Sequence, residues 1–405
     1  MTENSLGPLV TVVTPSYNQG RFIEETILSV LNQDYPNIEY IVIDGGSSDN
    51  TIEILRRYNK LLTWISEPDR GQSHAINKGF RMANGEILCW LNSDDTFVPG
   101  AISKVVECFV KDPGTSMVYG LVNIVSEAGE LTEQPTRNDP FDLWSVVYFS
   151  QIIYQPAAFF LKEAIVETGY LDENLHWCMD WDLWVRLGMR YRLTNSNHIF
   201  SNIRMYRTTK TSTGGLRRIQ EIVKVMRRYS HCSLAFGITR AGLGGLHTFL
   251  MYRLPHLYML LKEIIIYVKN RSLNKFYDNF HGVYSDGWLG RKARFMFPMH
   301  ADASAVKFSL SFRPELCTRK GRVTAIINGK RFKEFLIPPT TTYELLLPYD
   351  RNFQKPTEVE LIFTRYLPPD EQCRKRACKL DELSLVASSR SAIPVGGTGI
   401  RDKTD

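Results

Sequence analysis

Along its first 125 residues the chain switches repeatedly between two hydrophobic patterns. Leu9–Thr14 is a β-branched run closed by Pro15, while Gly20–Asn32 puts Phe22, Ile23, Ile27, Val30 and Leu31 on one helical face. Ile38–Ile43 is again strand-like and ends in the polar loop Asp44-Gly45-Gly46-Ser47-Ser48. Ser48 or Asp49 can N-cap a following helix that runs to Tyr58. Leu62–Ser66 predicts a third strand, Gly71–Met82 a third helix and Ile87–Leu91 a fourth strand. A helix after Pro99 and a strand over Met117–Asn123 complete the series. Continuous apolar strands alternating with amphipathic helices predict an α/β fold, a mostly parallel sheet with helices on both faces.

Beyond residue 125 the alternation dissolves. Gln155–Leu161 reads as one more strand and Asp180–Met189 as a helix. From 214 to 232, Leu216, Ile219, Ile222, Val223, Met226 and Tyr229 share a face ringed by Arg217, Arg218, Lys224, Arg227 and Arg228. His247–Lys269 is apolar, but Arg253, Pro255, His256, Lys262 and Glu263 interrupt it too often for a transmembrane span. A basic amphipathic helix followed by an apolar one fits contact with a membrane surface across 214–270. An interdomain or homo-oligomer-forming helical pair fits the same pattern. After Phe276 come short alternating runs, Ala305–Phe312, Arg322–Ile327, Phe332–Ile337, Tyr343–Leu347 and Glu358–Phe363, with the hairpin signal Asn328-Gly329 between two of them. These predict a jelly-roll-like β-sandwich over 276–388. Trp288 would be a sugar platform there or a core residue, and 389–405 has the composition of a disordered tail.

Composition narrows the class without naming it. The 405 residues suffice for two or three domains, and a hydrophobic fraction of 43% with 23% charged residues is ordinary for a globular protein. A net charge of +6 is too mild to imply a nucleic-acid partner. Seven cysteines, odd in number and irregularly spaced, suggest reduced thiols in a cytoplasmic protein. The start, MTENSLGPLV, has neither a basic segment nor an apolar core of the kind that directs secretion.

The chemistry gathers where the strands end, which is where ligands of such sheets sit. Pro15, Ser16, Tyr17 and Asn18 follow the first strand, Asp44 the second, Glu67, Pro68, Asp69 and Arg70 the third, and Asn92, Ser93, Asp94 and Asp95 the fourth. An aromatic face, a single carboxylate, a cation and a carboxylate pair are what a nucleoside diphosphate would require. Asp94 and Asp95 would hold a hard divalent cation, Mn²⁺ or Mg²⁺, or would form a solvated turn. No GxGxxG follows the first strand and no GxxxxGK[ST] occurs, which excludes dinucleotide and P-loop readings.

Three segments taken together, VVTPSYNQGRFIEETILSVLNQDYPNIEYIVIDGGSSDNT, SEPDRGQSHAINKGFRMANGEILCWLNSDD and WDLWVRL, resemble GT-A glycosyltransferases of family 2, of the kind that builds bacterial surface polysaccharides. The resemblance covers 9–125 as the nucleotide-sugar half and continues through 126–213 as the acceptor half of one domain, 1–213. A helical linker (214–275) and the β-sandwich extension would follow. The resemblance implies an inverting, metal-dependent transferase that moves a sugar from a nucleotide donor, UDP-sugar favoured, to a glycan or lipid-linked acceptor at the inner face of the cell membrane. It implies donor contacts by Pro15, Tyr17, Asn18, Asp44, Arg70, Asn77, Asn92 and Asp94, a metal at Asp94 and Asp95, and Asp180 as catalytic base. Gln155, Trp177 and Trp181 would fall on the acceptor side.

Four positions depart from the family pattern. Asn92 stands for an aspartate of the metal motif, His74 for an aspartate, Met179 for the acidic residue before the base, and Thr209 for a histidine near the diphosphate. Lys210 would replace the charge lost at Thr209. The alternative these departures favour is a non-catalytic carbohydrate-binding or scaffold protein that keeps the fold. A nucleotidyltransferase would carry a Gly-rich basic loop after the first strand, which TPSYNQG is not.

Overall fold

A computed structural model describes residues 7–134, 140–147 and 153–229, and then the stretches 288–290, 292–297, 303–312, 321–337, 342–349, 356–364, 376–387 and 392–394. The apolar segment His247–Lys269, most of the 214–275 linker, the side chain of Trp288 and the tail lie outside the described residues. Two compact units form, one from Met1–Asp139 with Ile152–Glu221 and one from Pro140–Gln151 with Ile222–Asp405.

The first unit is built on a mixed sheet. Its strands are β1 (Val10–Ser16), β2 (Ile38–Asp44), β3 (Thr63–Ser66), β4 (Ile87–Trp90), β5 (Thr96–Phe97), β6 (Met117–Val125), β7 (Leu131–Glu133), β8 (Ala158–Leu161) and β9 (Leu193–Arg204). The order is β3-β2-β1-β4-β8-β6-β9-β5, with β7 on β6. The first four strands are parallel, as the apolar runs and their intervening helices require. β8 then enters antiparallel between β4 and β6, so the sheet is mixed beyond β4. β9, in the stretch without clear periodicity, pairs parallel with β6 and antiparallel with β5. β1 is buried along its whole length.

Helices Ile23–Leu31, Thr51–Arg57, Gln72–Met82 and Ala101–Lys111 connect the early strands. The Gln72–Met82 helix approaches β1 very closely. A Cβ on Gly79 would lie 2.4 Å from a Val13 methyl, so glycine is needed there. The core on one face joins Val10, Val12, Ile23, Ile27, Val42 and Leu55 to Val105, Val118 and Phe159. Parallel register brings Ser16 beside Asp44 and Asp44 beside Ser66, so three strands end together at one edge. That shared edge positions the site.

The second unit holds two antiparallel sheets. One has the order Trp288–Gly290, Arg376–Ala387, Ala303–Ser311, Thr342–Pro348, with Ala392–Pro394 added on the second strand. The other runs Lys292–Phe297, Thr357–Phe363, Gly321–Ile327, Lys330–Ile337. Phe295 and Phe297 of the second sheet meet Phe308 of the first at ring-centroid distances of 5.1 and 6.0 Å, which makes the pair a sandwich. Asn328 and Gly329, both at positive φ, form the predicted two-residue turn, with Ile327 paired to Lys330.

Candidate active site

The first two strand ends are locked to one another before any ligand arrives. Asn18, at φ +52°, donates its N–H to Ser47 Oγ (2.7 Å), and its amide oxygen accepts the Ser48 N–H (2.8 Å). Pro15 is buried in β1. Tyr17 stands 62% exposed, and its ring lies over Gly45, 3.4 Å from where a Cβ would be. An exposed aromatic face held by two tied loops is suited to stacking on a planar base.

Asp44 is the residue whose surroundings differ most from the expectation of a free acceptor. It is fully buried, and its carboxylate accepts the N–H groups of Gly46 (3.0 Å) and Ser47 (2.8 Å) and the hydroxyls of Ser47 (2.5 Å) and Ser66 (2.7 Å). This is the Asx-turn geometry that Asp before Gly-Gly favours. Arg70, 70% exposed, reaches Glu173 at 2.6 Å. Asn77 reaches the same Glu173, donating to its Oε1 at 3.1 Å. It is 1% exposed, donates to the Leu171 carbonyl (2.9 Å) and accepts the Leu171 N–H (3.0 Å), so it pins the Gln72–Met82 helix to the 171–173 loop.

Around the fourth strand end the side chains form one directed network. Lys210 Nζ donates to Gln72 Oε1 (2.6 Å), and Gln72 Nε2 donates to Asn92 Oδ1 (2.7 Å). Asn92 Nδ2 donates to both Asp95 Oδ2 and Gln155 Oε1, each at 3.0 Å, and Gln155 Nε2 ends the series on the Trp90 carbonyl (2.6 Å). Such chains polarise one another, and the cost of breaking them is correspondingly high. Gln155 is thereby fully engaged at the end of β4.

The two aspartates play different parts. Asp95 is buried and also accepts the Arg204 N–H at 3.1 Å. Burial, and the negative charge of Asp94, push its carboxyl well above the usual range. Asp94 is half-buried, is raised by burial, and takes the Tyr206 hydroxyl on Oδ2 at 2.8 Å. Arg204 stitches the turn together through the Asp94 carbonyl (3.1 Å), the Glu127 carbonyl (2.9 Å) and Glu25 (2.6 Å). No group of three or more His, Cys, Asp or Glu side chains suited to a metal occurs among the described residues. A Mg²⁺-type ion is commonly held by one or two carboxylates completed by substrate phosphates, so Asp94, with Asp95 behind it, fits a site that a diphosphate would finish.

Asp180 lies in the first turn of the Met179–Gly188 helix, and its Oδ1 accepts the Trp181 N–H at 2.8 Å. Burial raises its proton affinity, while the cations Arg218 and Lys210 pull the other way. The same burial lowers Lys210 to about 8, against the opposing charges of Asp180 and Glu221. Lys210 also lies 3.9 Å from Met179 Sδ. Trp181 is buried, and Trp184 stacks on Trp90 with centroids 5.7 Å apart; both are core residues. Trp177 is half-buried against Gly214, whose Cβ would come within 2.9 Å of the indole nitrogen.

Residues 11–167 match the profile of glycosyl transferase family 2. The chain carries a family 2 glycosyltransferase domain. An uncharacterized glycosyltransferase of Rickettsia typhi is 26% identical over 231 residues, 55% of this chain and 72% of that protein. The putative teichuronic acid biosynthesis glycosyltransferase TuaG of Bacillus subtilis is 39% identical over 104 residues, 25% of this chain and 41% of that protein. A solved mannosyltransferase from Pyrobaculum calidifontis, in complex with GDP-Man and Mn²⁺, aligns with 24% identity and a TM-score of 0.43 over 55% of this chain and 64% of its own.

Gln72, Arg204, Tyr206, Arg218 and Glu221 join the candidate site without having been expected from sequence. Gln72 carried a detectable signal, since a polar side chain opening the helix after Arg70-Gly71 must face the strand ends. Arg204 and Tyr206 carried none, because β9 has no clear period.

Proposed function

We propose that the chain is an inverting glycosyltransferase that moves a sugar from a nucleoside diphosphate sugar, UDP-sugar favoured, to a glycan or lipid-linked acceptor. The observation that carries this reading is the network joining Asp180's neighbour Lys210, through Gln72 and Asn92, to the Asp94–Asp95 turn. It supports reading Asp180 as the base and Asp94 as the diphosphate side of one site, with Lys210, whose charge acts on Asp180, beginning the hydrogen-bonded series between them.

Tyr17 would stack on the base, and Asn18 and Asp44 would keep the loops under it in shape. Where the family resemblance implies that Asp44 accepts a base N–H, Ser47 would have to yield a hydrogen bond. Asp180 takes the proton of the acceptor hydroxyl as that oxygen bonds to the anomeric carbon, and the bond from that carbon to the diphosphate oxygen breaks. Lys210 and Arg70 supply positive charge for the departing diphosphate. A Mn²⁺ or Mg²⁺ ion held by Asp94 and the donor's phosphates would offset the same charge.

The exposed basic face Arg217, Lys224 and Arg227 suits an anionic membrane surface carrying a lipid-linked acceptor. No described helix is long and apolar enough to cross a membrane. TuaG's description places that relative in the synthesis of a polysaccharide, and we extend such a role to this chain. In the test, Asp180→Asn should bind UDP as the wild type does and lose sugar transfer by roughly 10²–10⁴-fold. Full transfer by that variant would remove Asp180 as base, and donor binding without transfer by the wild type would favour the non-catalytic alternative.

A further inference from the structure

The turn leading to Asp180 is held from another element. Glu221, in the Gly215–Tyr229 helix, accepts three consecutive backbone N–H groups: His176 (2.8 Å), Trp177 (2.7 Å) and Cys178 (3.2 Å). Cys178 is the N-cap of the Met179–Gly188 helix and makes no side-chain cap of its own. Of the donors at that helix end the Cys178 N–H is the one met by this carboxylate, while His176 and Trp177 precede the helix; all three bonds are accepted by a residue 43–45 positions further along the chain, whose charge also complements the positive end of the helix dipole. Arg218 lies three residues before Glu221, on the same side of its helix, and its charge acts on Asp180. We propose that Glu221 is a positioning residue for the base, so that the start of the Gly215–Tyr229 helix belongs to the active site and holds the 176–178 turn, and with it Asp180, in place for attack.

This rests on the transferase reading given above. Asp180 faces Lys210 and Arg218, with Cys178 beside it and Glu221 and His176 around Lys210. Loss of Glu221 frees three N–H groups and lets the turn drift. A misplacement of about 1 Å at a reacting group costs on the order of 10²-fold.

The test measures nucleoside diphosphate release from UDP-glucose, UDP-N-acetylglucosamine, GDP-mannose and dTDP-glucose with Mn²⁺, then kcat and KM with the best of these. Glu221→Ala should lower kcat roughly 10–100-fold, leave KM for the donor unchanged and speed hydrogen exchange at residues 176–178. Glu221→Gln, which keeps one acceptor oxygen, should fall between, and it decides the matter if the alanine variant does not fold. Wild-type turnover with unchanged kcat in both Glu221 variants overturns this role alone. No turnover of any donor by the wild type overturns the transferase reading and this role with it.

Discussion

Restoring a carboxylate at position 92 should expose how the cluster is balanced. In Asn92→Asp, the amide that donates to Asp95 Oδ2 and Gln155 Oε1, each at 3.0 Å, becomes an oxygen facing two acceptors. Two full charges about 3 Å apart at an effective dielectric constant of about 20 repel by roughly 5 kcal/mol. Proton uptake caps this, because protonating an aspartate of ordinary pKa at pH 7 costs about 4 kcal/mol. Asp95 is already pushed well above that range, so it takes the proton and the cap falls. A loss of about 2–4 kcal/mol at pH 7 is therefore expected. For a domain of this size it corresponds to a fall in the N-terminal unit's Tm on the order of 5–10 °C. The penalised form is the charged one: the variant keeps its stability at low pH and loses it as pH rises through the raised pKa. Thermal melts at pH 5 and 7.5, with and without Mn²⁺, provide the assay. The deficit should shrink at pH 5, and Mn²⁺ should raise the Tm of the variant more than that of the wild type. A variant as stable as the wild type at pH 7.5, or a deficit indifferent to pH, would refute the reasoning.

Other predictions follow from the same contacts. Lys210, lowered to about 8, should lose its proton above that pH, so transfer should decline on the alkaline side; Lys210→Arg should remove that limb, which a pH–rate profile would read. Asp180, raised by burial, should give an acid limb above the usual carboxylate range, lost in Asp180→Asn along with turnover. Asp44→Ala leaves the Ser47 and Ser66 hydroxyls and two loop N–H groups without their acceptor and should cost about 3 kcal/mol or more in denaturant unfolding. Asn77→Ala should weaken the fold similarly while leaving UDP affinity in surviving folded protein unchanged, as titration calorimetry would show.

Legibility in the sequence followed the strength of the local pattern. The strand and helix alternation to residue 125 could be read because each strand is a short apolar run and each helix buries one stripe. The Asn328-Gly329 hairpin could be read because the turn chemistry itself fixes the register. β9 could not, since its place is decided by partners far along the chain, and β8, legible as a strand within Gln155–Leu161, gave no sign that it would enter antiparallel between β4 and β6. The same divide runs through the site. Asp94, Asp95 and Asp180 stand out as charged residues at element ends, but nothing local to Asp95 says that the Arg204 N–H and the Asn92 amide will turn it inward. Asp44 carried both readings in its Gly-Gly neighbours, and its four hydrogen bonds follow the turn. Asn77 looked like a polar residue facing the rim, whereas its partner is the Leu171 backbone, 94 residues on.

We propose that the ends of the first four strands and the turn around Asp180 together bind and use a sugar nucleotide. Release of nucleoside diphosphate, followed across a panel of UDP-, GDP- and dTDP-sugars with Mn²⁺, tests it most directly. Binding and turnover of at least one donor, UDP-linked first, is expected, with Tyr17→Ala weakening its binding. A chain that binds none of them, with Tyr17, Asn92 and Asp94 indifferent to every nucleotide, would contradict it.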